Sequence, residues 1–482
     1  MTQESEKRQA GSQRLDEKDY LTLTPQQRKR ELVRIQALID EDGQTPEQKA
    51  DLFFEQGLLY WFAEEYANAI ASYDKALEIK PDLHVAWYNR GIALDDLGRL
   101  EDAISSFDKA LEIKPDLHEA WNNRGSVLYK LGLFEEAIAC FDKTLEIQPD
   151  YYEAWFNRGS VLYNLGLFEE EIASYHKALE IQPDYYEAWY SLGMALGNLG
   201  LFEEAVSSFE KVLEINPDDC VAWHYRGIAL GDLGRWQEAI ASYDKALEFQ
   251  DDLPDVWYSR GYALGKLGLF EEAIASYDKA LEFSPDDCEA WNNRGNAQAD
   301  LGLFEEARSS YDKALEISPD DETWFNRGVA LGNLGLFEAA IASYNKTLEI
   351  NPDYHAAWFN RGLALHNLGR LKEAIASYDK ALEFKPDYDA AWNNRGLALA
   401  SLGRLEKAIA SYGKALEIKP DKDEAFYNKA CCYALQSQID QAIQNLQQAI
   451  NLNPDEWRER AKTESDFDSP RSHTRFQALI QG

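Results

Sequence analysis

The chain has 482 residues, 45% of them hydrophobic, with 85 acidic against 49 basic side chains and a net charge of −36. That apolar content suffices for a folded body, while the charge excludes nucleic acid as a partner, because phosphates are gripped by Lys and Arg that release counterions. No stretch approaches the ~20 apolar residues of a membrane helix, so direct membrane insertion is excluded too.

Residues 1–23 are polar, are expected to be disordered, and lack the apolar core of a signal peptide, which makes the cytoplasm the expected compartment. Thr24-Pro25-Gln26-Gln27 then supplies an N-cap, a proline at the first helical position and a capping-box Gln, with Leu32, Ile35, Leu38 and Ile39 as an apolar stripe behind it. Residues 24–49 are therefore read as a capping helix and linker. A second box, Thr45-Pro46-Glu47-Gln48, opens the body of the chain.

From residue 50 to residue 456 the chain repeats itself. Trp87, Trp121, Trp155, Trp189, Trp223, Trp257 and Trp291 stand 34 residues apart. The step to Trp324 is 33, and 34 returns through Trp358, Trp392 and Phe426. Twelve units follow, the first at 50–83 and the last at 423–456. In the unit 84–117, Trp87, Gly91, Leu94, Ala103, Phe107 and Ala110 give two stretches of helical period, Gly98 separates them, and Pro115-Asp116 closes the unit. Each unit is thus a helix A, a glycine turn and a helix B. Beyond the array, 457–482 reads as a capping segment, with Phe467, Phe476, Leu479 and Ile480 as its apolar residues.

The pattern resembles the tetratricopeptide repeat (TPR), W-x2-L-G-x2-Y…A-x3-F…P, over 407 of the 482 residues. The small residue of helix B is Ala in eleven of twelve units, and the closing proline is present in eleven of twelve. Nine units depart from the family pattern by placing Arg, as in Arg90 and Arg124, where Leu is usual. The resemblance implies an all-α fold: a right-handed α-solenoid of twelve helix-turn-helix units with helical caps. The ending, Glu464-Ser465-Asp466-Phe467 and then Arg475-Phe476-Gln477-Ala478-Leu479, is similar to the D-x-D-F…R-F-x-x-L tails of bacterial, including cyanobacterial, proteins of this kind.

Helix A is where binding chemistry is expected. With positions counted from the first residue of a unit, such as His84, a helical wheel puts positions 4, 8 and 11 on the packing side. Positions 2, 5, 6, 9, 12 and 13 fall opposite, on the concave groove that helix A lines in this family. Position 6 holds Asn89, Asn123, Asn157, Asn293, Asn326, Asn360, Asn394 and Asn428. A carboxamide both donates and accepts, so a row of them can match the C=O and N–H of an extended backbone. The row resembles the asparagine ladder of the TPR superhelix of O-linked N-acetylglucosamine transferase; copying of one repeat with a solvated Asn is the alternative. Position 5 carries Tyr88, Phe156, Tyr190, Tyr258, Phe325, Phe359 and Tyr427, read as aromatic contacts for a bound peptide or as rings partly buried between repeats. The ladder is interrupted by Ser191, Tyr225 and Ser259, and position 12 is Gly197, Gly231, Gly265 and Gly332, so the middle of the groove has room for bulk. No Lys or Arg occupies positions 2, 5 or 6, which disfavours the carboxylate clamp of chaperone-tail TPR domains. Arg at position 7 lies on the packing side and is expected to meet a carboxylate of the P-D turn or of the Y-D-K-A-L stretch.

Enzyme chemistry has no visible seat. The seven histidines and five cysteines form no triad-like or metal-ligand spacing, and no phosphate-binding glycine loop occurs. No catalytic residue, metal or cofactor is assigned, and the chain is read as a non-enzyme. The function implied is a scaffold holding extended or unfolded segments of one or more proteins in the groove. The alternative, by family analogy, is an assembly factor or chaperone for a multiprotein, possibly membrane or photosynthetic, complex. Two misfits stand out: Glu171 where every other unit has Ala, and the unit 288–320, with Gln298 and Arg308 at apolar positions and a deletion behind it.

Overall fold

The computed structural model describes residues 22–481; the polar segment expected to be disordered lies outside them up to residue 21. Among the described residues there are 27 α-helices and no strand. Helix A of the first repeat runs Pro46–Phe62 and its helix B Tyr66–Ile79; the second repeat follows with His84–Asp96 and Leu100–Ile113. The alternation continues to Asp423–Leu435 and Ile439–Leu452 in the twelfth. The chain forms two compact units, Met1–Ser242 and Tyr243–Gly482, divided within helix B of the sixth repeat, Trp236–Phe249.

Two glycine positions set the geometry of each pair in the interior repeats. At position 15 the backbone turns left-handed, as at Gly98 with φ 78°, a conformation that glycine adopts without a Cβ clash. At position 8, helix A passes so close to helix B that a Cβ on Gly91 would lie 2.6 Å from the Phe107 ring. The aromatic of helix B therefore fills the space that glycine vacates. The small residue at position 20 completes the contact: Ala103, Ala137, Ala205, Ala273, Ala307, Ala340, Ala374 and Ala408 are fully buried.

In the first unit, helix Pro25–Asp40 is closed by a reciprocal capping box between Thr24 and Gln27, and its Ile35 and Ile39 cluster with Leu59 of the first repeat. A second box joins Thr45 and Gln48 at the start of Pro46–Phe62. In the second unit, helix Pro454–Thr463 and helix Thr474–Gln481 bring Trp457, Phe467, Phe476, Leu479 and Ile480 onto the twelfth repeat. No helix among the described residues is long and apolar enough to cross a membrane.

Candidate functional site

The packing side of helix A is organised by arginine. Arg90 Nε donates to Asp74 Oδ1 at 2.6 Å and its Nη1 to Ser106 Oγ at 2.6 Å, linking helix B of the preceding repeat to helix B of its own. The guanidinium also lies over the Trp87 ring, 5.7 Å from its centre. Arg158, Arg294, Arg327 and Arg395 make the same pair of bonds, each to the Asp of the preceding Y-D-K-A-L or F-D-K-T-L stretch. Arg226 uses Glu210, and Arg361 uses the Asn345 carbonyl oxygen. The two later repeats without Arg lack the matching acid: Leu192 follows His176, and Lys429 follows Gly413. In the first repeat, with no repeat before it, Gln56 instead bonds Gln36 of the preceding helix and accepts from Ser72. Position 7 is therefore a structural strut, fixing the pitch at which helix A presents its other face.

That other face is more internally engaged than a wheel suggests. In four repeats the position 6 amide donates to a polar position 5 residue of the preceding repeat; Asn428, behind Asn393, makes no such bond, and the Asn393 carbonyl oxygen is buried without a partner. Asn123 Nδ2 reaches Tyr88 Oη at 3.0 Å, Asn157 reaches Asn122 Oδ1 at 3.1 Å, and Asn293 reaches Tyr258 Oη at 2.9 Å. Asn326 reaches Asn292 at 3.5 Å and Asn296 at 3.2 Å. Where the preceding position 5 is Phe54, Phe325 or Phe359, the amide turns back to the carbonyl four residues earlier in its own helix: Asn89 to Val85, Asn360 to Ala356, Asn394 to Ala390. The expectation that both ends of each amide are free for a ligand is thus corrected. One N–H of each bonded amide is used, and the carbonyl oxygen is left over except at Asn293, where it accepts from Asn296 Nδ2 at 3.5 Å. Asn89 and Asn123 are in addition nearly buried, each 6% exposed.

Position 5 needs a similar correction. The wheel set it opposite the packing side, yet its rings lean on the aromatic of helix B: Phe156 on Tyr175 at 5.7 Å, Tyr190 on Phe209 at 6.0 Å, Tyr258 on Tyr277, Phe325 on Tyr344 and Phe359 on Tyr378. Tyr185, Tyr354 and Tyr388 cover Phe156, Phe325 and Phe359 from the loop behind. These five rings are partly buried. Burial pushes the Tyr258 hydroxyl up to about 12. Tyr88 is 2% exposed and Tyr427 1% exposed, so neither is a groove contact. Tyr88 is sandwiched by Phe107 and its hydroxyl is taken by Asn123; Trp457 stacks on Tyr427 at 4.5 Å with Arg460 beside it. Asn428, one repeat beyond the last self-linked amide, keeps a partly buried place on the same face.

Between the fifth and sixth repeats the face opens into a cavity of about 150 Å³, lined among others by Met194, Gly197, Phe209, Tyr225, Ile228 and Asp232. The position 12 glycine and the Tyr at position 6 are the signals by which sequence reasoning located this opening. Its individual lining residues, Met194 and Ile228 at position 9 and Asp232 at position 13, were missed, because they differ from repeat to repeat.

A face of repeated helices carrying amide oxygens and aromatic edges, on a scaffold of glycine-spaced helix pairs, defines an α-solenoid built for macromolecular contact. Tetratricopeptide repeat models match 50–83, 84–117, 118–151, 152–185, 186–219, 208–241, 258–322, 325–389, 390–422 and 423–456, and a TPR repeat model matches 229–268. The chain belongs to the tetratricopeptide repeat family, whose members generally mediate protein–protein interactions. No curated protein matches it. Among solved structures it is similar to YrrB, described as a TPR protein with an unusual peptide-binding site, at 28% identity over 39% of this chain and 97% of that one, with a TM-score of 0.36. It is similar to MamA at 26% identity over 34% of this chain and 91% of that one, TM-score 0.34. The C-terminal part of a TPR repeat-containing protein from Cytophaga hutchinsonii aligns at 18% identity over 50% of this chain and 98% of that one, TM-score 0.45.

Proposed function

We propose that the protein is an interaction scaffold that holds extended polypeptide segments of a partner along the helix-A face of its repeats. The observation that carries this reading is the row of position 6 amides. Each of Asn157, Asn326, Asn360 and Asn394 is partly exposed and is oriented by a bond from its own nitrogen, whereas Asn89 and Asn123 are buried and the Asn293 oxygen is taken by Asn296. A carbonyl oxygen fixed in this way is a pre-oriented acceptor for one peptide N–H, and its ordering cost is already met by the fold. Recurrence at one position of successive repeats suits a ligand that is itself periodic, an extended backbone. The partly exposed edges of Phe325 and Phe359 then offer apolar contact to its side chains.

Asn360 and Asn394 give the cleanest test, since each bonds only a carbonyl of its own helix. Peptides selected for binding from a displayed library of unstructured sequences should lose about tenfold or more in affinity to the variant Asn360→Ala/Asn394→Ala, at about 0.5–1.5 kcal/mol per bond. The melting temperature should stay within about 2 °C of the parent's, because no inter-repeat bond is removed. Unchanged affinity of every selected peptide would refute the amide row as the binding element.

A further inference from the structure

The cavity between the fifth and sixth repeats differs from the rest of the helix-A face in shape and in charge. Several repeats fill position 12 with a side chain such as Asp95, Tyr129 or Tyr163; of the other glycines at this position, Gly231 is covered by the Trp236 ring, where an added Cβ would lie 3.1 Å away. Here it is Gly197, where an added Cβ would meet no atom within 4 Å. Behind that gap the wall is a fixed aromatic stack. Tyr225, which replaces the ladder Asn, lies 5.9 Å edge-on to Tyr190 and stacks on Phe209 at 6.0 Å and 19°. Met194, Phe202 and Ile228 complete an apolar lining of about 150 Å³. The hollow is open to solvent on one side, with Asn198 and Asp232 in its lining, and its volume is that of a molecule the size of benzene. Met194 gives one wall an unbranched, polarisable side chain that adapts to an aromatic guest.

The lining carries a single charge. Asp232 forms no ion pair or hydrogen bond with any described residue, whereas the nearby cations are engaged: Arg226 with Glu210, Arg235 with Glu238 and Glu203, Lys211 with Glu214. Asp219, the other acid near this face, already accepts from Tyr186 and from the backbone of Val221 and Ala222. Asp232 is exposed, and partial desolvation raises its pKa. A carboxylate left over at the lip of an apolar hole, on a chain of net charge −36, selects its guest by charge complementarity.

We propose that this cavity seats one ring-sized apolar side chain of an extended partner segment, and that a lysine or arginine adjacent to it in that segment pairs with Asp232. The inference rests on the reading of helix A as the binding face and adds to it an anchor and a sequence preference. The amide row is indifferent to side chains; the cavity supplies the selectivity that the row lacks. It also explains why the ladder stops here: an Asn at 225 would remove the aromatic wall.

The chain offers its own reporter, since Met194 is one of only two methionines, the other being Met1. With ¹³C-methyl methionine labelling, the full-length protein is titrated with benzylamine (ring plus cation), benzyl alcohol (ring alone), ethylamine (cation alone) and phenylacetate (ring plus anion). The Met194 methyl resonance is expected to move and saturate with benzylamine at lower concentration than with benzyl alcohol, and not to move with ethylamine or phenylacetate. Gly197→Leu, which fills the cavity, should weaken benzylamine about tenfold or more. Asp232→Asn should weaken it about threefold, as for a solvent-exposed ion pair, and leave benzyl alcohol unchanged. A Met194 resonance unmoved by every probe, or benzyl alcohol binding as well as benzylamine, overturns the proposal. Neither result touches the amide row, whose test lies in repeats ten and eleven, so the two readings fail separately.

Discussion

At the scale of single residues, Glu171 shows how a repeat tolerates a wrong letter. It occupies the position held elsewhere by a fully buried Ala, is 2% exposed, and its Oε2 has no hydrogen-bond partner. Burial pushes its pKa up to about 7 from the ordinary 4.5. A carboxyl whose folded pKa exceeds its unfolded value holds more protons folded than unfolded between the two. Stability therefore falls as pH rises from about 4.5 to about 7, and the loss is complete above that window. Glu171→Ala should stabilise the protein at pH 8 by about 1–3 kcal/mol, the cost of an unsatisfied buried polar group. Measured by thermal melts of both proteins, the gain should shrink at pH 5.5. An equal gain at both pH values would show that the charge of Glu171 is not the source of the cost.

Other single residues mark what a sequence does and does not disclose. That Arg90 or Arg158 would meet a carboxylate was legible, because a packing-side cation in a copied unit needs a copied counter-charge; the choice between the P-D turn and the helix-B Asp was not, and the structure shows Asp74 and Asp142 of the preceding helix B. The direction of the position 6 amides was not legible. It depends on whether the ring one repeat earlier ends in a hydroxyl, as Tyr88 does, or in carbon, as Phe359 does. A wheel treats a helix as isolated, so it also placed Tyr88 and Tyr427 in the groove. What buries them comes from elsewhere in the chain: Asn123 of the next repeat in one case, Trp457 in the other.

At the scale of elements, two helix-pair features stand open to test. Every glycine turn of the interior repeats has φ between 71° and 78°, yet the first and last repeats place Glu64 (φ 62°) and Ser437 (φ 60°) at that position. A side chain in the left-handed region costs about 1–2 kcal/mol, offset in part by the greater chain entropy that glycine loses on folding. Glu64→Gly and Ser437→Gly should each stabilise by up to about 1 kcal/mol in denaturant melts, and destabilisation by either would mean the side chain holds a contact worth more than the strain. The second feature is the arginine strut missing between the fourth and fifth repeats. Leu192→Arg alone buries an unpaired cation and should destabilise, while His176→Asp alone, at an exposed position, should be near neutral. Made together they recreate the pair seen at Arg158 and Asp142. The double mutant is expected to recover about 1–3 kcal/mol relative to the sum of the singles. Additive effects would show that the strut contributes nothing to coupling adjacent repeats.

For the whole molecule, stability is a chain of local terms, since each repeat touches only its neighbours and no central core averages out a weak joint. The joint between the eighth and ninth repeats, inside the second unit, is predicted to be a weak one. There the 33-residue step removes one residue from the loop. As a result Trp324 lacks the bond that Trp291 and Trp358 make from Nε1 to the carbonyls of Pro285 and Pro352. Asp320 compensates in part, accepting from Thr323 N at 2.8 Å. Within the eighth repeat, Gln298 stands at an apolar position and is 4% exposed. Its amide is bonded, Ser310 Oγ lying 2.7 Å from Oε1, and with the amide turned over its nitrogen would reach Ser310 Oγ and the Glu306 carbonyl while its oxygen accepts from Arg294. Satisfaction removes the penalty but does not restore the apolar burial of the Leu and Ile that other repeats place at 298 and 308, about 1.5–3 kcal/mol per fully buried side chain. Hydrogen exchange by mass spectrometry should therefore show 288–333 opening more often than 355–418 of the same unit, by about tenfold or more in rate for each 1.4 kcal/mol of local deficit. Equal protection across both segments would mean that the new polar bonds and the Asp320 cap make up the whole of what the missing residue and the lost side chains take away.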